Sequence, residues 1–161
     1  MIPHSRPSIE AEDIRAAVEV LQSRQLAQGS QVEQFERGMA AYFGLPGGVA
    51  VTSGTAALEV ALRAMGIGSG DEVILPSYVC AAPLLAIQRI GAIPRVVDID
   101  LASFNMDPSA AQEARTSRTK ALIVPHLFGL PADLTALERL GIPIIEDCAQ
   151  TLGALEQGRP V

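Results

Sequence analysis

Residues 70–97 read GDEVILPSYVCAAPLLAIQRIGAIPRVV, and this stretch contains two apolar strands separated by one helix. Residues 72–75 and 93–97 are short and rich in branched apolar side chains, which is typical of strands buried on both faces. Residues 80–90 between them have the length of a helix. A strand–helix–strand unit of this size joins parallel strands by a right-handed crossover. The stretch therefore predicts a parallel sheet covered by helices.

The same alternation continues on both sides of this unit. Further strands are predicted at 49–51, 121–124 and 142–145, and further helices at 55–65, 108–114 and 133–140. Two amphipathic helices come before them, the first capped by Ser8 and the second ended by Gly44. The predicted fold class is α/β, a three-layer αβα arrangement around a mostly parallel sheet.

The composition of the 161 residues excludes several classes of protein. Hydrophobic residues make up 48% and charged residues 19%, which indicates an ordered chain with a large core. The net charge of −6 and the absence of basic runs argue against binding to nucleic acid or anionic membranes. No apolar stretch is long enough to span a bilayer, and no signal core begins the chain, so we expect a cytoplasmic protein. Cys80 and Cys148 match no metal-ligand spacing.

Polar residues follow three of the predicted strands, in segments 51–62, 75–82 and 144–150, at the edge where open α/β sheets bind ligands. Ser53-Gly54-Thr55 opens a helix, and its small residues and hydroxyls suit an anion such as phosphate. The same residues also suit an ordinary helix cap, and the segment lacks the glycine patterns of dinucleotide and P-loop sites. Asp147 ends another strand, where a carboxylate either caps a turn or holds a proton on a ligand nitrogen.

The order of these segments resembles the DegT/DnrJ/StrS family of sugar aminotransferases, which have the aspartate-aminotransferase fold and use pyridoxal phosphate. The matching pieces are Ile2-Pro3 with Arg6-Pro7, QGSQVEQFE at 28–36, SGTAAL at 53–58, GDEVILPSY at 70–78, GAIPRVVDID at 91–100, RTKALIVPHLFG at 118–129 and IIEDCAQTLGA at 144–154. The resemblance implies that 1–161 is part of the large, cofactor-binding domain of a fold type I enzyme. The resemblance also implies an N-terminal helical segment over about 1–45 at the start of this range, and we expect the family's C-terminal small domain to be absent from it.

The resemblance also assigns cofactor contacts to individual residues. Ser53, Gly54 and Thr55 match the phosphate-binding turn, with Ala56 adding its backbone. Asp147 matches the acid that pairs with the pyridine nitrogen, and Gln150 matches the residue that reaches the ring hydroxyl.

Cys80 departs from the family pattern, because the family usually places an aromatic residue there to stack on the cofactor ring. A thiol offers much less contact area than an aromatic ring. Either Cys80 packs against the ring in its place or Tyr78 compensates, and the undisturbed register of the segment favours Cys80.

Two more residues bear on the chemistry. His126 matches a family position after a strand, and we expect it to be packed and hydrogen-bonded rather than directly catalytic. Lys120 is the one lysine in the chain and precedes a strand, so we expect it to be a solvated charge at the opposite edge of the sheet. No catalytic residue is therefore assigned, and the Schiff-base lysine is expected beyond Val161.

The function implied by the resemblance is that of an aminotransferase that moves an amino group, from glutamate, to a keto group of a nucleotide-linked sugar. A dehydratase of the same family, in which histidine replaces the lysine, is one alternative. A non-catalytic binding module is another, although retention of the Ser-Gly-Thr turn, Asp147 and Gln150 argues against it. The intact protein is expected to be a homodimer, and this chain alone is expected to be inactive.

Overall fold

The computed structural model describes residues 6–161, so the Ile2-Pro3 match and His4 lie outside the described residues. The chain divides into two compact units, one ending at Ala50 and the other spanning Val51–Val161. No helix in the described part is long and apolar enough to cross a membrane.

The first unit contains helices α1 (Ala11–Ser23) and α2 (Ser30–Phe43). The prediction that Ser8 caps α1 is wrong, because the N-cap is Glu10, whose backbone N–H donates to Asp13 Oδ2 at 2.7 Å. The side chains of Glu10 and Asp13 accept hydrogen bonds from each other's backbone N–H groups. The helix therefore begins at Ala11, two residues later than a Ser8 cap would give. Helix α2 ends at Gly44 as predicted, with a φ of 65° that favours glycine.

The second unit is built on a four-stranded, fully parallel sheet, which confirms the predicted fold class. Its strands are β1 (Glu72–Pro76), β2 (Ile93–Val97), β3 (Thr119–Pro125) and β4 (Ile144–Asp147), in the spatial order β2-β1-β3-β4. In the register of β3 and β4, Val124 lies beside Glu146 and Pro125 beside Asp147. A small antiparallel hairpin follows, made of β5 (Leu155–Glu156) and β6 (Arg159–Pro160).

Helices cover both faces of this sheet. Leu62 of α3 (Gly54–Ala64) and Ile87 of α4 (Ala81–Arg89) pack on one face, against side chains such as Ile123. Helices α5 (Pro108–Ala114) and α6 (Leu134–Glu138) pack on the other face, where Leu137 joins the core around Leu122. The two cores use alternate residues of each strand, as the two-residue period of a strand requires.

Two predicted strands differ from the structure. Residues 49–51 form no strand, because a strand needs a ladder partner and the described residues provide none; the Ala50 N–H instead donates to Glu36 Oε1 at 2.7 Å. Strand β4 begins at Ile144 rather than residue 142, since Pro143 has no N–H to give to the ladder. Glu146 and Asp147 therefore lie within the strand, at its last two positions.

The amino end of β1 carries a buried acid. Glu72 has no exposed surface, accepts a hydrogen bond from Thr116 Oγ1 at 2.7 Å and pairs with Arg118 at 2.6 Å and Arg95 at 3.3 Å. The Thr116 hydrogen bond is the main reason that the pKa of Glu72 is lowered, against the opposing effect of burial. This edge of the sheet is closed by internal partners.

Candidate functional site

The candidate site lies at the carboxyl edge of the sheet, where α3 and α4 both begin. Helix α4 follows β1 directly, so its first turn lies beyond the carboxyl end of that strand. Helix α3 comes before β1 and leads into its amino end through the turn at 65–71, so α3 also begins at the carboxyl edge. The topology thus brings two helix N-termini to one edge on one face of the sheet.

Ser53 is the N-cap of α3, with extended backbone, and its Oγ accepts a hydrogen bond from the Ala56 N–H at 3.2 Å. No acidic residue occupies the first turn of this helix. Within the described residues the N–H groups of Gly54 and Thr55 have no acceptor, and Ser53 and Gly54 are exposed. The turn is therefore open to an anion, while the Ala56 N–H assigned to the same role is occupied by Ser53.

Asp147 lies on the same face of the sheet as α3 and α4. Ile145, two residues earlier in β4, packs against the core formed by those helices, whereas Ile144 packs against the core under α5 and α6. Because side chains alternate along a strand, Asp147 follows Ile145 and Glu146 follows Ile144. Asp147 is half-buried, and its Oδ1 accepts a hydrogen bond from the Ala149 N–H at 3.2 Å.

Cys80 and Gln150 line one shallow pocket of about 300 Å³ together with Tyr78 and Phe128. Cys80 is exposed at the N-cap of α4, and Gln150 is exposed, with its Oε1 accepting a hydrogen bond from the Phe128 N–H at 3.1 Å. The structure thus brings together Cys80, Gln150 and the alternative aromatic residue Tyr78.

An exposed aromatic cluster beside this pocket was missed from the sequence. Tyr78, Phe104 and Phe128 have ring centroids 5.7–6.4 Å apart. Phe104 and Phe128 have φ values of 61° and 57°, a region that bulky side chains rarely adopt. Buried Asn105 links their two loops by accepting a hydrogen bond from the Leu127 N–H and donating one to the Leu130 carbonyl, each at 3.0 Å. Spacing along the sequence carries no signal for these contacts.

His126 is fully buried and hydrogen-bonded, as predicted. Its Nδ1 accepts a hydrogen bond from the Ala132 N–H at 2.9 Å, and its Nε2 lies 2.9 Å from Glu146 Oε2. The ligand atoms of His126, Glu146 and Cys148 also lie within 4.8 Å of one another. A backbone N–H donating to Nδ1 leaves the ring proton on Nε2, so Nε2 has no lone pair for a metal ion. This trio is therefore a hydrogen-bonded group rather than a metal site.

The remaining reactive groups lie away from the open turn or are unreactive. Lys120 is exposed near the start of β3, at the amino edge of the sheet, as predicted. Burial, and then the nearby charges of Glu146 and Asp147, raise the pKa of the Cys148 thiol to about 11. Neither Lys120 nor Cys148 therefore provides a nucleophile at the carboxyl edge of the sheet.

Comparison with known proteins extends the likeness over nearly the whole chain. The family model of the DegT/DnrJ/EryC1/StrS aminotransferase family matches residues 7–161. The chain is 44% identical over 137 residues to 3-amino-5-hydroxybenzoate synthase of Amycolatopsis mediterranei (strain S699). That match covers 83% of this chain and 35% of the relative, so the chain matches about a third of the relative's length.

Solved structures give the same result. A putative sugar aminotransferase, Spr1654 from Streptococcus pneumoniae, in its PMP-form, superposes with a TM-score of 0.95 at 32% identity, covering 99% of this chain and 45% of that one. An E. coli GDP-4-keto-6-deoxy-D-mannose-3-dehydratase with bound hydrated PLP superposes with a TM-score of 0.92 at 27% identity, covering 99% and 43%. The backbone likeness is thus shared by both reaction types, while the identity is higher to the aminotransferase.

Proposed function

The chain belongs to the DegT/DnrJ/EryC1/StrS aminotransferase family, and from this premise we propose that the intact protein is a pyridoxal-phosphate-dependent aminotransferase. Its reaction would move an amino group from glutamate to a keto group of a nucleotide-linked sugar, leaving 2-oxoglutarate. The higher identity to 3-amino-5-hydroxybenzoate synthase and Spr1654 than to the dehydratase supports amino transfer over dehydration.

The residues of this chain fit the proposed cofactor. The open first turn of α3 and the Ser53 hydroxyl suit the phosphate, because helix-start N–H groups and the helix dipole favour an anion. The Asp147 carboxylate suits a protonated pyridine nitrogen, and Gln150 offers an amide to the ring hydroxyl. Cys80 and Tyr78 would both border the ring, so the two alternatives for the missing aromatic residue share one pocket.

When bound, pyridoxal phosphate supplies an electron sink that withdraws electron density from the substrate carbon as that carbon loses its proton. Asp147 would favour this by keeping the proton on the ring nitrogen. Ser53 and the α3 N–H groups would fix the phosphate and so orient the ring. The lysine that would carry the cofactor covalently is not Lys120, which lies at the other edge of the sheet.

One observation carries the proposal more than any other. Strand β4 directs Asp147 to the face covered by α3 and α4, whose N-cap residues are Ser53 and Cys80. The groups proposed to hold the phosphate, to border the ring and to pair with its nitrogen therefore lie at one edge and on one face of the sheet. A protein that binds no such cofactor has no physical need for this combination.

The test is equilibrium binding of pyridoxal phosphate to the purified protein, followed by absorbance. We expect Asp147→Asn to weaken binding roughly ten- to a hundredfold, the range for losing a hydrogen bond to a charged group. Asp133→Asn is the matched control, because it removes the same charge from the cap of α6 while asparagine still caps. Equal affinities for Asp147→Asn and wild type would contradict the assignment.

The reaction is tested separately from the binding. The intact protein is incubated with glutamate and a keto sugar nucleotide, and 2-oxoglutarate and amino sugar are measured together. Formation of both in equal amounts supports amino transfer, whereas a deoxy sugar without amino sugar supports the dehydratase. Cofactor binding with neither product supports a non-catalytic module.

We also propose that the intact protein is a homodimer. The exposed rings of Tyr78, Phe104 and Phe128, which are 49%, 43% and 66% exposed, support a partner surface beside the pocket. Sedimentation equilibrium should give twice the chain mass for the intact protein. A monomer at micromolar concentration would contradict this part of the proposal.

A further inference from the structure

His126 joins the two segments that surround the candidate site. Its backbone N–H donates to the Asp147 carbonyl at 3.1 Å, and its own carbonyl accepts a hydrogen bond from Thr151 Oγ1. These two bonds bracket residues 147–151, the segment that carries both Asp147 and Gln150. The backbone of His126 therefore fixes both ends of that segment.

The side chain of His126 is fixed as well, in one tautomer. A backbone N–H can only donate, so the 2.9 Å contact from Ala132 makes Nδ1 an acceptor without a proton. The ring proton is then on Nε2, where Glu146 Oε2 accepts it at 2.9 Å. The ring is fully buried, whereas the Glu146 side chain is 40% exposed, so the pair connects the interior to the surface.

The position of Glu146 determines that of Asp147, because the two are neighbours on one strand and point to opposite faces. Holding the Glu146 carboxylate on the α5 and α6 face holds the Asp147 carboxylate on the α3 and α4 face. The turn after His126 also holds Gln150, through the 3.1 Å bond from the Phe128 N–H. Asp147 and Gln150, the two residues expected to contact the cofactor ring, are thus both held by segments that His126 anchors.

We infer that His126 is a positioning residue, which keeps its proton on Nε2, binds Glu146 with it and so orients Asp147 and Gln150 towards the ligand. It transfers no proton itself, since both ring nitrogens are engaged inside the protein. The inference rests on the proposed function for the identity of that ligand. Its geometric part concerns residues of this chain alone.

The tautomer is tested first, on the cofactor-free protein, by NMR with ¹⁵N-labelled histidine. We expect one His126 signal set with the proton on Nε2 and none on Nδ1. The chain contains two histidines, so a His4→Gln variant assigns the signals. A proton on Nδ1, or rapid averaging between the two tautomers, would overturn the inference.

The orienting role is tested with pyridoxal phosphate as the probe, by its dissociation constant and the absorption maximum of the bound form. Glu146→Gln keeps an oxygen that accepts from Nε2, so we expect an affinity within about twofold of wild type and an unshifted spectrum. Glu146→Ala removes the acceptor and leaves the buried Nε2–H unpaired, and we expect roughly tenfold weaker binding and a shifted maximum. Equal behaviour of the two variants would overturn the inference, and because Glu146 is partly exposed both should fold.

Substitutions of His126 separate its two ring contacts. In His126→Gln the amide nitrogen can still donate to Glu146, whereas His126→Asn can accept from Ala132 but does not reach Glu146. We expect His126→Gln to retain most of the affinity and His126→Asn to match Glu146→Ala. The double variant His126→Asn/Glu146→Ala should bind no more weakly than either single variant, and additive losses would count against a shared pathway.

Failure of the proposed function is distinguishable from failure of this inference. If the wild-type protein binds no pyridoxal phosphate, the proposed cofactor is wrong. The positioning role is then decided by the backbone amide signals of residues 147–150. Those signals should move in Glu146→Ala and stay in place in Glu146→Gln, and unchanged signals in both variants would overturn it.

Discussion

The two edges of the parallel sheet treat their polar groups in opposite ways. At the amino edge, buried Glu72 is paired with Thr116, Arg118 and Arg95. At the carboxyl edge, the first N–H groups of α3 are open, and Asp147 is only half-buried. At the amino edge, which we call the closed edge, the polar groups stabilise the fold by bonding to one another. At the carboxyl edge, which we call the open edge, the first α3 N–H groups and the Asp147 carboxylate remain accessible to a ligand.

Backbone strain follows the same division. Of the non-glycine residues with positive φ that the structure describes in the second unit, Phe104 and Phe128 belong to loops of the carboxyl edge, and Gln157 belongs to the turn of the small hairpin. Strain of this kind is retained where surrounding contacts enforce it, as Asn105 does here, and it concentrates at functional sites. Departures from ideal local structure thus mark the same edge that the motifs mark.

The largest expected difference is chemical, between the two cysteines of the open edge. With a pKa of about 11, Cys148 is roughly one-thousandth thiolate at pH 8, against about a quarter for a free cysteine. We therefore expect Cys148 to react with Ellman's reagent at least about a hundredfold more slowly than exposed Cys80.

The measurement is the time course of thiol release from the folded protein at pH 8. Cys80→Ser should remove the fast phase and Cys148→Ser the slow one. Two fast phases in the wild type would show that the segment carrying Asp147 opens readily, which would contradict the half-buried position of Cys148.

We expect Glu72, at the closed edge, to make the stability of the protein depend on pH. The pKa of Glu72 is lower in the folded chain than its ordinary value, so the stability it contributes is full above that value and is lost as pH falls through the folded pKa. The free energy of unfolding should therefore fall as the pH is lowered below about 5. Thr116→Val removes the main cause of the lowered pKa and should make this fall shallower.

Urea denaturation between pH 6 and pH 3 measures the effect. Asp100 and Asp107 also have lowered pKa values, through hydrogen bonds from Ser103 and Ser109, but they are common to both proteins. Ser117→Ala, at an exposed neighbour, is the control and should keep the wild-type slope. If the free energy of unfolding falls equally with pH in Thr116→Val and wild type, the Thr116 hydrogen bond does not lower the pKa of Glu72, and the proposed difference between the two edges is wrong.

Asn105 is the part of the open edge on which folding depends. Asn105→Ala would leave the Leu127 N–H and the Leu130 carbonyl without their partner, and we expect a loss of about 2–4 kcal/mol. Leu101→Ala in the same loop removes an 81% exposed side chain and should change stability by less than about 0.5 kcal/mol. Thermal or urea unfolding of both variants measures the difference, and similar values would show that the loops hold without this link.

The sequence predicted what depends on local pattern. The strand at 93–97, the helix at 108–114 and the end of α2 at Gly44 all have the predicted bounds, because apolar period, proline and glycine act within a few residues. The strand at 49–51 failed because strand formation needs a partner elsewhere in the chain. The predicted start of β4 was wrong because Pro143, within the apolar run, has no N–H to donate to the ladder.

For the candidate site, the sequence indicated residue types but not their mutual contacts. The resemblance assigns Ser53, Cys80, Asp147 and Gln150 as expected cofactor contacts, and the structure adds that Cys80 and Gln150 share a pocket. The tautomer of His126 and the partnership of Asn105 depend on backbone groups far away in the chain, so no spacing rule reveals them. Positive φ at Phe104 and Phe128 is likewise invisible, since neither residue favours that conformation.

The smallest expected effect concerns this strain directly. Phe128→Asn places a residue that tolerates positive φ where a 66% exposed ring now stands, and we expect unchanged or slightly higher stability, by less than about 1 kcal/mol. Phe35→Asn is the matched control, because Phe35 is 58% exposed within α2, where phenylalanine and asparagine have similar helix propensities and no backbone strain is relieved. Urea denaturation should therefore rank Phe128→Asn above Phe35→Asn. The opposite order would mean that the contacts of the Phe128 ring outweigh its backbone strain, and that the open edge is held together by its aromatic cluster.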